Sequence, residues 1–451
     1  METTNIARVK NKNLSDEVKW SIYNIVINPN EMTSGKYILY NTANGKMVTS
    51  TKNFDQIENY YKEPQKILKQ HEILKEMGFL VTKNVNEFYK TRFLLQQSYQ
   101  GCQELVILPT EKCNFRCVYC YEEFLKGKMS IETQQNIIDF VQKNIRKWKR
   151  LDVSWFGGEP LTAYEVIKNL SKQFIEICSK NNVLYNATMT TNGYLLSIAR
   201  AKELKNLGVN AYQITIDGIE EHHNSNRPLA GGGQTYKKII NNLLDIKNSD
   251  LDINITLRTN FLEENVKELD NHIDVLANYF ANDKRFSFRL FPVGKWGGPN
   301  DDNLPICTSK QAHEILTKKT NYSIKKGLRS LIQTDLGVNN VCYASKPNSL
   351  VIGSDGMLYK CTVAFDNPIN QVGKLEPGGK LNIDYDKFSQ WISADGVSDT
   401  GCQSCQLHPI CHGASCPLVR IENNIRPCPP AKSNLQEYIV TAYYETVMNN
   451  G

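Results

Sequence analysis

Between about residues 101 and 300 the chain alternates short apolar runs with longer amphipathic segments. The runs have the length of strands and the segments have helical spacing of their apolar positions, so the pattern predicts six strand–helix repeats. Such an alternation is typical of an α/β fold with a parallel sheet and outer helices, either open or closed into a partial (β/α)6 barrel. The predicted strands are Glu104–Pro109, Leu151–Phe156, Tyr185–Thr191, Ala211–Asp217, Ile253–Thr259 and Phe286–Phe291, and the helices lie near 131–148, 163–181, 195–207, 236–247 and 264–281.

Residues 1–100 show a different pattern and form a predicted module of their own. Two strand-like runs flank Asn44-Gly45, which predicts a β-hairpin. Helical periodicity follows from about Asp55 to Met77, ends at Gly78, and is followed by a short strand at Phe79–Val81. Residues 301–451 form a third region that is rich in cysteine.

Composition and charge narrow the function classes. The net charge of +6 over 451 residues forms no obvious basic stripe, so we expect no nucleic-acid partner. No apolar run reaches the roughly 18 residues needed to cross a membrane, and the first residues lack a signal-peptide profile. We therefore expect a cytoplasmic protein without a membrane partner.

Cysteine is the informative residue type. The chain has thirteen cysteines, and in a reducing cytoplasm this number favours metal ligation or catalysis over disulfides. Three lie together near residue 115 and seven lie between Cys342 and Cys428. Cys178 sits in an apolar helical stretch and is interpreted as a small buried hydrophobe.

The residues that follow the predicted strands are chemically unusual. The cysteine loop follows the first strand, Gly-Gly-Glu-Pro the second, and Thr-Thr-Asn-Gly the third. Asp217-Gly218 ends the fourth strand, and Arg258 and Asn260 lie on the fifth. Because ligands bind at the carboxyl ends of parallel strands, we expect these residues to share one site.

Cys113, Cys117 and Cys120 have the spacing C-x3-C-x2-C. Three thiolates on one loop suit three irons of a [4Fe–4S] cubane and leave the fourth iron open, since thiolates are the usual protein ligands of such clusters. The alternative is structural zinc, but a closed zinc site needs four ligands and this loop offers three.

This set of motifs resembles the radical S-adenosylmethionine (SAM) superfamily. The resemblance implies that the open iron chelates SAM, whose reductive cleavage yields a 5′-deoxyadenosyl radical, with Cys113, Cys117 and Cys120 as the catalytic cluster ligands. It also implies an electron donor such as flavodoxin or ferredoxin. The residues that it implies as SAM contacts are Tyr119, Gly157, Gly158, Glu159, Pro160, Asn192, Thr215 and Arg227.

The cysteine-rich region resembles the SPASM extension, which holds two auxiliary [4Fe–4S] clusters. One departure from its pattern is that four residues separate Cys411 from Cys416, where the pattern has three. No fourth ligand for the first cluster is evident, so that cluster is open or recruits Cys307, His408 or His412. The alternative for the region is a pair of zinc knuckles. The resemblance implies Cys342, Cys361 and Cys416 as ligands of the first auxiliary cluster and Cys402, Cys405, Cys411 and Cys428 as ligands of the second.

Enzymes with this extension mostly act on peptides and proteins. Sulfatase-maturing relatives carry an aspartate directly after the cysteine at position 361, where this chain has Thr362. The N-terminal module resembles the winged-helix-like leader-recognition domain of peptide maturases, and the alternative is a structural cap. We therefore expect a maturase that forms a sulfur-to-carbon thioether in a precursor peptide with a leader (the sactipeptide and ranthipeptide type of RiPP maturase). Carbon–carbon crosslinking, formylglycine formation and an iron–sulfur redox sensor are the alternatives.

Overall fold

The computed structural model describes residues 18–54 and 70–450 of the chain. These residues divide into two compact units. The first unit contains 18–54, 70–98, 332–342 and 395–450, and the second contains 99–331 and 343–394. The first unit ends and the second begins between residues 98 and 99, and the residues of the cysteine-rich region are divided between the two units. The three-domain organisation stays a prediction.

The N-terminal part of the first unit contains two small sheets. The hairpin predicted around Asn44-Gly45 is confirmed, with Tyr40 opposite Met47 and Gly45 at φ 68°. The short strand predicted near Val81 is also confirmed and pairs antiparallel with the first strand. Most of the predicted Asp55–Met77 helix lies outside the described residues. The elements are β1 (Val18–Trp20), β2 (Asn24–Ile27), β3 (Tyr37–Asn41), β4 (Met47–Ser50), α1 (Gln70–Glu76), β5 (Leu80–Thr82) and α2 (Glu87–Ser98).

The second unit is built on the six predicted strands, all of which are confirmed and parallel to their neighbours. Each predicted helix is also present, and one further short helix follows the fourth of these strands. The strands are β6 (Cys102–Ile107), β7 (Arg150–Trp155), β8 (Leu184–Thr191), β9 (Val209–Thr215), β10 (Asn254–Phe261) and β11 (Phe286–Pro292). The helices are α3 (Ile131–Asn144), α4 (Tyr164–Lys180), α5 (Ile198–Asn206), α6 (Glu220–Asn226), α7 (Tyr236–Lys247) and α8 (Leu269–Phe280).

Amphipathic spacing explains why the helices cover this sheet. In α4 the buried residues include Val166, Leu170, Phe174 and Ile177, which recur at helical spacing and form one apolar stripe. Side-chain caps fix where the helices begin, as at α3, where Ser130 Oγ accepts a hydrogen bond from the Thr133 amide. The packing leaves the carboxyl ends of the strands free for the loops that form the site.

Later segments extend the sheet at both sides. Its order is β12-β11-β10-β9-β8-β7-β6-β13-β14-β15-β16, so within the described residues it is an open sheet that ends at β12 and β16. β13 pairs in parallel with β6, and β14 to β16 continue antiparallel. The added elements are α9 (Ser309–Lys325), β12 (Arg329–Ser330), α10 (Ile332–Asp335, in the first unit), β13 (Ser349–Ile352), β14 (Met357–Tyr359), β15 (Gln371–Glu376), β16 (Lys380–Ile383) and α11 (Tyr385–Ser393).

The C-terminal part of the first unit is helical. Ile410 and Ile439 from this part pack in one apolar cluster with Ile25 and Ile38 of the N-terminal sheets. Its helices are α12 (Thr400–Gln403), α13 (His408–Cys411), α14 (Pro417–Asn423) and α15 (Leu435–Asn450). Short 3-10 helices lie at Ile145–Lys147, Pro160–Ala163, Glu263–Glu268, Asp301–Asn303, Tyr343–Ser345, Pro377–Gly379 and Pro430–Lys432. No helix among the described residues has both the length and the apolar character to cross a bilayer.

Candidate active site

A cavity of about 200 Å³ opens at the carboxyl ends of β6 to β11. Its lining confirms that the strand-end residues meet at one place, as the parallel sheet predicts. The lining includes nine of the residues predicted for the SAM site, namely Cys113, Cys117, Cys120, Tyr119, Gly157, Gly158, Asn192, Thr215 and Arg227. The other two, Glu159 and Pro160, do not line this cavity.

The cysteine loop follows β6 and is held by backbone hydrogen bonds. The amides of Arg116 and Val118 donate to the carbonyls of Pro228 and Asn226, at 2.9 Å each. Within the loop the Cys120 amide donates to the Cys117 carbonyl at 3.1 Å, and the Phe115 amide donates to Cys113 Sγ at 3.3 Å. These hydrogen bonds fix the loop mainly through its backbone, and Cys113 Sγ is the sulfur atom that takes part in them.

The three thiols of this loop are half-buried and close to one another. The pKa of Cys113 and of Cys120 is raised to about 12, chiefly by burial and in part by the charge on Cys117. Burial also raises the pKa of Cys117, which the nearby Arg227 lowers in part. Three thiols on one loop supply the donor type that an iron–sulfur cluster takes, with one thiolate for each of three irons.

All thirteen cysteines are described and none forms a disulfide, so all three loop thiols are free to ligate. Among residues 18–54 and 70–450, no group of three or more His, Cys, Asp or Glu side chains is arranged to hold a metal ion.

Gly157 and Gly158 bring the β7 loop against the start of the cysteine loop. Gly157 has φ 113°, and a Cβ atom there would collide with the Thr110 carbonyl. A Cβ atom on Gly158 would lie 2.5 Å from the Lys112 carbonyl oxygen. Only glycine therefore permits this approach of the two backbones.

Glu159 is fully buried and organises the loops below the cavity. Its carboxylate accepts hydrogen bonds from the Leu161 amide at 3.0 Å, from Thr191 Oγ1 at 2.8 Å and from the Asn192 amide at 2.7 Å. Burial raises its pKa, which these hydrogen bonds lower in part. Pro160 is buried as well and begins a 3-10 helix. Direct contact of these two residues with SAM stays a prediction, and the structure gives Glu159 a positioning role.

Tyr119 lies at the centre of a buried polar network. Its hydroxyl donates to Asp217 and accepts from Arg227 Nη1 at 2.6 Å and from Asn260 Nδ2 at 3.0 Å. Arg227 and Asp217 also form an ion pair at 3.7 Å. Burial raises the pKa of Asp217, and the charge on Arg227 opposes this shift. Asp217 and Asn260 were not among the predicted SAM contacts, although both lie at strand ends.

Arg258 and Asn260, which the sequence places at the end of the fifth strand, also line the cavity. Most of the remaining wall comes from residues that the sequence did not single out, which include Gln213 on β9 and several aromatic side chains. In the sequence these residues are marked only by lying near the carboxyl ends of predicted strands. That position does not distinguish a residue that lines the cavity from a buried neighbour. The aromatic members of the wall are Tyr121, Phe124, Phe156, Phe291 and Trp296.

A second cavity, of about 140 Å³, lies within the first unit. Its lining includes Cys402, Cys405, Cys411 and Cys428, the four residues predicted to hold the second auxiliary cluster. Lys432 Nζ donates to Cys405 Sγ at 3.0 Å, and Arg420 Nη2 donates to Cys402 Sγ at 3.5 Å. Four thiols with cationic donors suit a thiolate-bound cluster, because positive charge offsets the negative charge of the thiolates.

The other three predicted ligands are divided between the two units. Cys342 and Cys416 belong to the first unit and Cys361 to the second, so their assignment to one cluster stays a prediction. The same holds for Cys307 as a further ligand. His408 lines the second cavity, and neither ring nitrogen has a hydrogen-bond partner among the described residues. His412 shares a hydrogen bond of 2.9 Å with Asn339 Oδ1.

Comparisons with known proteins agree with this geometry. A family model described as the Radical SAM superfamily matches residues 107–276, so this segment is a radical SAM domain. The GTP 3′,8-cyclase of Campylobacter jejuni is 24% identical over 292 residues, which are 61% of this chain and 85% of the cyclase. The radical SAM cyclopropyl synthase TigE of Paramaledivibacter caminithermalis is 23% identical over 197 residues, which are 39% of this chain and 40% of TigE.

A solved structure shows the same fold. Native anSMEcpe with bound AdoMet and Kp18Cys peptide matches with a TM-score of 0.58 and 20% identity. The match covers 78% of this chain and all of the anSMEcpe chain. The arrangement of sheet and helices is therefore shared with anSMEcpe.

Proposed function

We propose that the protein is a radical SAM peptide maturase that joins a cysteine sulfur to a carbon of another residue in a precursor peptide. The observation that supports the radical SAM part most directly is the shared cavity wall of Cys113, Cys117 and Cys120. The aromatic, glycine and hydroxyl residues expected beside SAM line the same cavity.

In this proposal the three cysteines bind three irons of a [4Fe–4S] cluster and leave the fourth iron for SAM. Reductive cleavage of SAM at such a cluster supplies a 5′-deoxyadenosyl radical. The chain positions the reactants: Thr215 and Asn192 present polar side chains to the cavity, and Gly158 admits SAM close to the backbone. A flavodoxin or ferredoxin donates the electron.

A peptide substrate is supported by a structural neighbour, since anSMEcpe is seen with AdoMet and a peptide. Formylglycine formation is not favoured here, because Thr362 stands where the sulfatase-maturing relatives carry an aspartate. The Thr362 hydroxyl shares a hydrogen bond of 2.8 Å with the Tyr343 hydroxyl, and a threonine side chain is no base at neutral pH.

The N-terminal module is proposed to bind the peptide leader. β2, β3 and β4 form a three-stranded sheet in which β2 and β4 are the edge strands among the described residues. An extended leader adds to such an edge by backbone hydrogen bonds. β4 is partly exposed, so its free edge is the surface that we assign to the leader.

The crosslink requires the loss of two hydrogens and two electrons from the peptide. One hydrogen atom moves from the acceptor carbon to the deoxyadenosyl radical, and the thiol proton leaves to solvent. Formation of the sulfur–carbon bond releases one further electron, and an iron–sulfur cluster held by Cys402, Cys405, Cys411 and Cys428 would be its acceptor. With this acceptor the atoms and electrons balance.

Anaerobic reconstitution with iron and sulfide tests the radical SAM part of the proposal. We expect the reconstituted protein to form 5′-deoxyadenosine from SAM in the presence of a reductant, whereas Cys120→Ala does not. Cys178→Ala is the matched control, because Cys178 is a buried side chain of α4 that lines neither of the two cavities. A protein that binds the cluster but releases no 5′-deoxyadenosine would support a redox sensor instead.

Mass spectrometry of a co-expressed precursor tests the crosslink. We expect a loss of about 2 Da per reacting cysteine, which follows from the two hydrogens removed, and the modified cysteine should resist alkylation after reduction. The same mass loss with every cysteine still open to alkylation would move the assignment to a carbon–carbon bond.

A further inference from the structure

Arg258 is a cation in the wall of the candidate active site, and its orientation is fixed on two sides. It lies on β10 and lines the cavity. Its Nε atom donates a hydrogen bond to Asn260 Oδ1 at 2.8 Å, and its guanidinium carbon lies 4.1 Å from the centre of the Phe291 ring. A guanidinium held by stacking and by one hydrogen bond loses little further freedom when it binds a ligand.

The outer nitrogens of this guanidinium have no protein partner. Among residues 18–54 and 70–450, Arg258 Nη1 and Nη2 make no hydrogen bond and no ion pair. Arg227 is different, since it is paired with Asp217 and bonded to the Tyr119 hydroxyl. Both arginines stay charged, because a guanidinium does not lose its proton in proteins.

Two carboxyl groups near Arg258, those of Asp217 and Glu122, form no ion pair with it. Asp217 accepts hydrogen bonds from the Asn260 amide and the Tyr119 hydroxyl in addition to its pairing with Arg227. Glu122 also lines the cavity, but it makes no ion pair with Arg258.

Part of the cavity wall is apolar, since Phe291, Val293 and Trp296 line the same cavity as Arg258. A charge in such surroundings costs free energy unless a partner of opposite charge is present. A carboxylate is the partner whose shape matches the two free nitrogens, since it accepts two parallel hydrogen bonds from a guanidinium.

We propose that Arg258 forms a subsite for a carboxylate of the peptide substrate, either an acidic side chain or a terminal carboxylate next to the reacting residue. This inference rests on the proposed function, because it names a chemical feature of the substrate of that site. It predicts that a peptide with aspartate at this place is bound and that the matching asparagine peptide is rejected.

The position of Arg258 favours a substrate carboxylate over the carboxylate of SAM. Arg227 Nη1 donates to the Tyr119 hydroxyl of the cysteine loop, and the neighbouring carbonyls of Asn226 and Pro228 accept hydrogen bonds from that loop. Arg258 instead contacts Asn260 and Phe291, which lie on β10 and β11. In the proposal SAM takes the side of the cavity at Arg227 and the cysteine loop, which leaves Arg258 for the second reactant.

Binding of capped amino acids to the full-length, anaerobically reconstituted protein tests the subsite. The probes are N-acetyl-aspartate amide and N-acetyl-asparagine amide, measured by ligand-observed NMR with SAM present. We expect capped aspartate to bind the unaltered protein and Arg258→Gln to weaken this binding roughly 10- to 100-fold, the range for lost hydrogen bonds to a charged group. Capped asparagine should not bind. Arg329→Gln is the matched control and should leave binding unchanged, because Arg329 is an exposed arginine at the start of β12 that does not line the cavity.

Dissociation constants of SAM and of decarboxylated SAM distinguish the source of the carboxylate. We expect Arg258→Gln to keep the ratio of the two dissociation constants that the unaltered protein shows. Loss of SAM affinity with no loss for decarboxylated SAM would assign the carboxylate to SAM and overturn the proposal. Equal binding of capped aspartate to the variant, or none to the unaltered protein, would also overturn it. Absence of SAM cleavage by the unaltered protein would refute the proposed function and not this subsite.

Discussion

The buried ion pair between Asp217 and Arg227 allows a quantitative prediction. The nearest charged atoms are 3.7 Å apart, and the side chains are 0% and 8% exposed. Two unit charges at this distance attract by about 4.5 kcal/mol at an effective dielectric constant of about 20. Breaking a buried pair costs about 3–5 kcal/mol, because the remaining charge has no partner. We therefore expect Asp217→Asn to lower the free energy of unfolding of the second unit by about 3–5 kcal/mol.

Urea unfolding of the anaerobically reconstituted protein measures this change. Tryptophan fluorescence reports the second unit, because four of the five tryptophans lie there. For a slope of about 3 kcal/mol per molar urea, the midpoint should fall by about 1 to 1.7 M. Glu176→Gln is the control: it removes a carboxylate from an exposed pair with Lys180, and we expect no measurable shift of the midpoint.

A double variant separates loss of the pair from general disturbance of the site. Asp217→Asn combined with Arg227→Met removes both charges, so we expect it to be less destabilised than the sum of the two single changes. If Asp217→Asn has the same midpoint as the Glu176→Gln control, the pair contributes no net stability. In that case the reasoning from burial and distance is wrong for this site.

Three further predictions concern side chains near the site and the sheet. Gly158→Ala places a Cβ atom 2.5 Å from a backbone carbonyl, so calorimetry should show weaker SAM binding, whereas Gly231→Ala meets no atom within 4 Å and should leave the binding constant unchanged. Glu159→Gln disturbs three buried hydrogen bonds and should cost about 1–3 kcal/mol in urea unfolding; an unchanged midpoint contradicts this. Lys360 Nζ donates to the backbone carbonyls of Lys346 and Ser349 at 2.6 and 2.7 Å, and Lys360→Met removes this donor. We expect thermal unfolding to show a loss of about 1–3 kcal/mol in the free energy of unfolding. Lys346→Met, at a more exposed lysine, is the comparison and should lower it less.

The core of the second unit could be predicted from the sequence because its signals are local. Each strand from β6 to β11 is a short apolar run, and each following helix shows its own amphipathic period, so neighbours in sequence became neighbours in the sheet. The pairing of β13 with β6 has no such signal. Leu350 lies opposite Leu105, and no pattern within either strand identifies a partner so far away in the chain.

The candidate site was predictable to the extent that strand ends determine it. The rule that ligands bind at the carboxyl ends of parallel strands brought Cys113, Gly158 and Asn192 into one cavity. The rule does not determine how deep a side chain lies. For this reason it predicts Glu159 in the cavity wall, whereas the Glu159 side chain is fully buried and does not line the cavity. It also does not determine which cation is paired, so the difference between Arg227 and Arg258 required side-chain contacts.

These contacts also explain how three separate loops can present one cluster site. Glu159 holds the Asn192 amide, the Asn192 side chain donates to Asn114 Oδ1 at 2.8 Å, and the Glu159 amide donates to the Lys112 carbonyl at 3.0 Å. The loops after β6, β7 and β8 are thereby joined by buried hydrogen bonds, and each bond gains strength from its low-polarity surroundings. A shift of the β8 loop is therefore transmitted to the cysteine loop through Asn192 and Asn114. Residues that do not contact a sulfur atom thus help to determine the position of Cys113.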